Sequence, residues 1–116
     1  IKIALASASH NGPFILEKIG LLDSFDTIVD PGKLSRGKPD PEIFEVASAQ
    51  LGLIPKDCVG IEDSIAGIQA INSAGSCSIG VGDDKLSEAF QRVSSTKELS
   101  VTLLQESWKN FVNDKL

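Results

Sequence analysis

The chain has 116 residues, and 11 Lys and Arg stand against 16 Asp and Glu for a formal net charge of −5. That length allows one domain of modest core, or a piece of a larger one, and excludes two. An acidic balance without long runs of either sign excludes a general nucleic-acid or anionic-membrane surface, and no apolar run approaches the roughly 18 residues of a spanning helix.

Ile1–Ala6 reads as a strand with no turn or cap before it, and the chain contains no Met, so a fragment or processed product is expected. Ser7-Ala8-Ser9-His10-Asn11-Gly12-Pro13 follows as a loop leading into a helix, Phe14–Ile19, which Gly20 ends. Small side chains here would let an anion approach the first-turn N–H groups, with further donors from Ser7, Ser9 and Asn11. The same residues also make an ordinary capped turn.

A second strand, Thr27–Val29, ends at Asp30-Pro31-Gly32. The loop Lys33–Pro41 then sets basic residues (Lys33, Arg36, Lys38) among the breakers Gly37, Pro39 and Pro41. Pro39 disfavours the α region for Lys38 and so aims its side chain reproducibly, as a charge meeting a phosphate requires. A solvated surface lysine is the plain alternative. Asp40 is expected to cap a helix with Pro41 at its first position, Ile43, Phe44, Val46, Ala47 and Leu51 on its apolar face, and Gly52 as its stop.

The strand Cys58–Ile61 delivers Glu62 and Asp63, after which Ser64 starts a helix to Ala74 (Ile65, Ile68, Ile71) that Gly75 closes. Two adjacent carboxylates repel each other and call for a cation, for which a hard divalent ion such as Mg2+, held through oxygen, is suited. A helix cap beside a solvated acid explains the same pair without a metal. Cys77–Gly82 is a further strand; beyond Asp83 the pattern weakens to a short helix over Leu86–Phe90, a strand near Arg92–Ser94 and a loop to Leu99. Ser100 caps a last helix whose Val101, Leu104, Trp108 and Phe111 share one face. Cys58 and Cys77, at strand edges, read as buried thiols, which fits a reducing cytoplasm.

Alternating strands and helices predict an α/β fold, a three-layer, Rossmann-like parallel sheet with right-handed crossovers. The loops after successive strands then share one edge, which gathers Ser7–Asn11, Lys38, Glu62 and Asp63. Hydroxyl and amide donors, one fixed cation and an acidic pair are what phosphoryl transfer needs, since its catalysis is mainly positioning and charge neutralisation.

In this order, a Ser-bearing strand end (Ala4-Leu5-Ala6-Ser7-Ala8-Ser9), Lys38-Pro39-Asp40-Pro41 and Gly60-Ile61-Glu62-Asp63-Ser64 resemble the second, third and fourth motifs of the haloacid dehalogenase superfamily. Together with Asn11-Gly12-Pro13 and the run to Ile71 they are similar to its β-phosphoglucomutase branch over nearly the whole chain, least so from Asp83 to Leu99. The resemblance implies that Ser7 and the Ala8 backbone bind the transferring phosphoryl group and Ser9, His10 and Asn11 the other phosphate of a sugar substrate. It implies that Lys38 neutralises the transferring group and that Glu62 and Asp63 serve Mg2+, directly or through water. His10 stands where that branch carries Lys, which implies weaker or pH-dependent distal binding.

The superfamily's first motif, an Asp-x-Asp that carries the nucleophile and acid/base, has no counterpart, because no two aspartates here are two apart. Residues 1–116 are therefore expected to be the carboxyl-terminal part of the core, without the nucleophile motif and helical cap, and inactive without the missing half. The expected reaction of the whole is interconversion of β-glucose 1-phosphate and glucose 6-phosphate through a bisphosphate. A sugar-phosphate or phosphoglycolate phosphatase of the same superfamily is the nearest rival. A receiver domain of two-component signalling has its acidic pair first in the chain, whereas here the order is hydroxyl, lysine, acids. A binding half-domain without phosphate chemistry predicts ligand binding indifferent to Mg2+.

Overall fold

The computed structural model describes residues 2–6 and 25–114. Strand β1 (Ala4–Leu5) runs parallel to β2 (Thr27–Ile28), with Ala4 opposite Thr27 and Leu5 opposite Ile28. The expected strands over Ile1–Ala6 and Thr27–Val29 are thus shorter. At the start of β1 the Ile3 N–H donates to the Asp26 carboxylate at 2.6 Å, which diverts it from a longer ladder.

Helix α1 (Glu42–Gln50) begins one residue later than expected, with Pro41 as its N-cap. Asp40 still serves the helix start, since its carboxylate accepts from the Glu42 N–H at 3.0 Å. Ile43 and Ala47 bury against Val29, flanked by Ala4, Ala6, Leu34, Phe44 and Val46. This cluster seats α1 on the β1–β2 pair. Gly52, just past the helix, takes φ +74°, a conformation that glycine adopts without a Cβ penalty.

Strands β3 (Val59–Glu62), β4 (Cys77–Val81) and β5 (Gln91–Val93) form a second parallel piece in that order, with Ile61 opposite Ile79 and Ile79 opposite Gln91. Helix α2 (Ile65–Ala74) is capped by Ser64, whose Oγ accepts from the Gly67 N–H at 3.0 Å, and closes on Gly75 in the left-handed region. Ile68, Ala70 and Ile71 are buried beneath it. A side chain at Gly60 would meet Ile71 at 2.7 Å, so Gly60 allows α2 to settle on β3.

Ser78 lies in the interior yet is satisfied: its Oγ donates to Asn72 Oδ1 at 2.7 Å and accepts from the Phe90 N–H at 3.0 Å. That second bond holds the chain just before β5, and the helix expected over Leu86–Phe90 is replaced by turns, with a 3-10 turn, Asp84–Leu86, ending at its first residue. Asp83 caps the turn through the Lys85 N–H at 3.0 Å. A second short turn, Thr96–Glu98, closed by Ser95 and Glu98, occupies part of the expected loop.

Helix α3 (Val101–Asp114) is capped by Ser100, whose Oγ accepts from the Leu103 N–H at 3.0 Å, and packs on β4. Ser78 faces α2, so side-chain alternation puts Ile79 on the opposite face, where α3 closes the third layer. Phe111 buries as expected and meets Phe90 edge-on at 5.4 Å. Val101 does not bury: at 53% exposure it projects from the first turn into solvent. Both cysteines are free, Cys77 buried and Cys58 half-buried. Cys77 pairs in register with Val59, so it shares a face with Val59 and not with the neighbouring Cys58. Burial pushes the Cys77 thiol up to about 11. No helix among the described residues is long and apolar enough to cross a membrane.

The expected three-layer parallel α/β architecture is therefore present. Among the described residues β1–β2 and β3–β4–β5 are separate pieces, joined by α1 packing on α2.

Candidate functional site

The strands are parallel within each piece, and the loop after β2 meets the end of β3 through Lys38 and Glu62. Lys38 reaches it from the loop between β2 and α1, and Glu62 is the last residue of β3, not the first of a loop. Lys38 Nζ lies 2.7 Å from Glu62 Oε2, and the two side chains are only 18% and 12% exposed. The ammonium also sits 5.3 Å from the centre of the Phe44 ring, whose face favours a cation. The Lys38–Pro39 peptide bond is cis.

Glu62 is held on its other side too. Oε1 accepts from the Asp63 N–H at 3.1 Å and from Ser64 Oγ at 3.3 Å. Burial alone would push this carboxyl above its ordinary range, but the Lys38 hydrogen bond and charge, with the Asp63 N–H, hold it below. An ion pair this enclosed is costly to break, because the surviving partner is left charged and poorly solvated. Its chemical content is a lysine with a fixed address.

Asp63 sits beyond the pair and is exposed. It lines an open cleft of about 340 Å³ with Ile65, Gly82, Asp83, Lys85 and Leu86. A second cleft of about 240 Å³ lies on the lysine side, lined by residues that include Ser35, Arg36 and Lys38. Arg36 is drawn to Asp40 at 3.5 Å, so Lys38 is the base of this loop that meets the acidic tip.

Oxygen ligands of this kind suit a hard cation, and Asp63 is accessible to one. Glu62 has both oxygens engaged by protein donors. Among the described residues no three His, Cys, Asp or Glu gather into a metal-binding group.

Of the residues singled out from the sequence, Lys38, Glu62 and Asp63 are brought together. Ser7, Ala8, Ser9, His10 and Asn11 lie outside the described residues, as does the helix Phe14–Ile19. Two contributors were missed. Phe44 was read as packing only, although its place six residues after Lys38, in the first turn of α1, puts its ring beside the ammonium. Gly67 is not among the residues singled out from the sequence; the signal that marks it is a glycine inside a helical run.

A parallel α/β protein with a lysine and an acidic pair on one rim belongs to a recognisable class, and the comparisons agree. Residues 1–75 match the family of haloacid dehalogenase-like hydrolases, and the chain belongs to that family. It is 47% identical over 112 residues to a β-phosphoglucomutase of Bacillus subtilis, covering 96% of this chain and 50% of that protein. Hexitol phosphatase B of Escherichia coli is 36% identical over 106 residues, covering 84% of this chain and 48% of the phosphatase. Among solved structures, a β-phosphoglucomutase from Clostridium difficile superposes with a TM-score of 0.95 at 44% identity, over 97% of this chain and 51% of that one. The chain spans about half the length of the curated relatives it matches.

Proposed function

We propose that this chain is the carboxyl-terminal part of a Mg2+-dependent β-phosphoglucomutase that interconverts β-glucose 1-phosphate and glucose 6-phosphate through a bisphosphate intermediate. The observation that carries this reading is Lys38 Nζ held 2.7 Å from Glu62 beside Asp63 at the strand-end rim. The 47% identity to the B. subtilis mutase supports the choice of reaction.

In this reading Lys38 binds an oxygen of the transferring phosphoryl group, and Ser7 with the Ala8 backbone binds another. Ser9, His10 and Asn11 hold the substrate's second phosphate. Glu62 keeps the ammonium aimed, and Glu62 and Asp63 would serve Mg2+, directly or through water. Bound Mg2+ would add positive charge where the equatorial phosphoryl oxygens gather negative charge. The remaining half of the protein supplies the nucleophilic aspartate, the acid/base and the cap. Among the described residues the β1–β2 and β3–β4–β5 pieces are not paired with each other, which is consistent with a further strand between them. The 116-residue chain alone is expected to be inactive.

A second reading, a sugar-phosphate phosphatase, is favoured by the 36% identity to hexitol phosphatase B. Incubating the complete protein with β-glucose 1-phosphate and Mg2+ separates the two. Glucose 6-phosphate without stoichiometric free phosphate supports the mutase; phosphate release without isomerisation replaces it with the phosphatase.

A further inference from the structure

Gly67 is the third residue of α2, and glycine is a poor helix former. Its backbone is not in the left-handed region, which is taken by Gly52, Gly75 and Gly82, so helix geometry does not ask for glycine here. Space does. A Cβ at this position would overlap Cγ, Cδ and Oε2 of Glu62. We propose that Gly67 is a positioning residue of the site: its missing side chain is the seat in which Glu62 lies so that Oε2 can hold Lys38.

The overlap involves three consecutive atoms of Glu62, so turning the terminal carboxylate cannot relieve it. The acid would have to swing from its own Cβ. Non-bonded carbons sit about 3.5 Å apart, so the overlapped atoms of Glu62 would have to give by roughly 1.5 Å, and a shift of that size stretches the 2.7 Å contact of Oε2 with Nζ beyond hydrogen-bond length. The same residue's N–H donates to Ser64 Oγ, which in turn donates to Glu62 Oε1. One residue thus supports both carboxylate oxygens, one through its N–H and one through the absence of Cβ. Gly60 offers a contrast, because the side chain it would crowd is Ile71, in the core.

The activity arm of the test rests on the proposed phosphoryl transfer; the labelling arm does not. In the complete protein, acylation of Lys38 by an amine-reactive ester is followed by peptide mass spectrometry, with exposed Lys85 as internal reference. Gly67→Ala should speed Lys38 labelling roughly tenfold, the loss of one charge-assisted hydrogen bond. Glu62→Ala should do the same, and adding Gly67→Ala to it should change the rate by less than about twofold, since no carboxylate remains to displace. Unchanged labelling in folded Gly67→Ala, or an equal increase in the Glu62→Ala background, overturns the proposal. If Gly67→Ala does not fold, the double variant should, because the overlap is gone; a double variant that also fails to fold overturns it. In the activity arm kcat should fall about tenfold with KM within about twofold, and an unchanged kcat likewise overturns the proposal. A native protein that transfers no phosphoryl group would instead remove the proposed function and leave the labelling result standing.

Discussion

The region that carries Lys38 rests on two-residue strands and a core of Val29, Ile43 and Ala47, whereas the region that carries Glu62 rests on a four-residue strand beside the buried β4. Helix α2 adds Ile68, Ala70 and Ile71 to the second region at 1%, 0% and 0% exposure. The acid is therefore placed by a strand ladder, a helix cap and a glycine seat. The lysine comes from a loop, and its ammonium is held by the acid together with the Phe44 ring. The contrast teaches that the geometry at this rim is set from the β3 side, and that the loop conforms to it.

The largest expected effect comes from removing the dependent partner. Lys38→Ala should lower kcat of the complete protein by about a hundredfold to a thousandfold, the usual cost of one donor aimed at developing charge. Stability should fall as well, because Glu62 is left charged and poorly solvated, and a urea titration alongside the kinetics separates the two effects.

Next, Ile71→Ala should destabilise by about 2–5 kcal/mol in urea unfolding, because a fully buried side chain over β3 leaves a cavity. Ile43→Ala in the smaller cluster should fall nearer the lower end of that range, since fewer fully buried neighbours surround it. Equal losses at the two sites would remove the contrast between the regions.

A third test is pH. Burial raises the Glu62 carboxyl, but Lys38 and the Asp63 N–H outweigh burial, so its folded value lies below the ordinary 4.5. A depressed carboxylate stabilises the fold at pH above its unfolded value, and that contribution is lost as pH falls through the folded value. The stability difference between the native protein and Glu62→Gln should thus be full above pH 4.5 and shrink below it. A difference that grew on acidification would reverse the sign assigned to the ion pair. The smallest effect is expected from Ser64→Ala, about 1 kcal/mol, through loss of the α2 cap.

The stretch from Val59 to Gly75 was legible almost to the residue, because a strand, a capping serine and a terminal glycine each leave a local chemical mark. Its convergence with Lys38 was legible from the alternation of elements alone. Other features depended on partners far along the chain. The Phe90 N–H bonds Ser78 Oγ twelve residues away, and no periodicity signals that bond. Val101 fits the apolar stripe of α3, yet the stripe begins to bury only beyond the first turn. Gly67 was invisible as a site residue because what matters there is an unfilled volume, and its occupant lies five residues earlier in the chain.

The chain contains a single tryptophan, and its indole Nε1 donates to the Lys56 carbonyl at 3.0 Å, tying α3 to the turn that introduces β3. That bond gives the protein an intrinsic fluorophore at the base of the strand whose far end bears Glu62. Emission from Trp108 therefore reports whether the last helix is docked, without a dye or an added label, and can be followed through a stopped-flow refolding experiment.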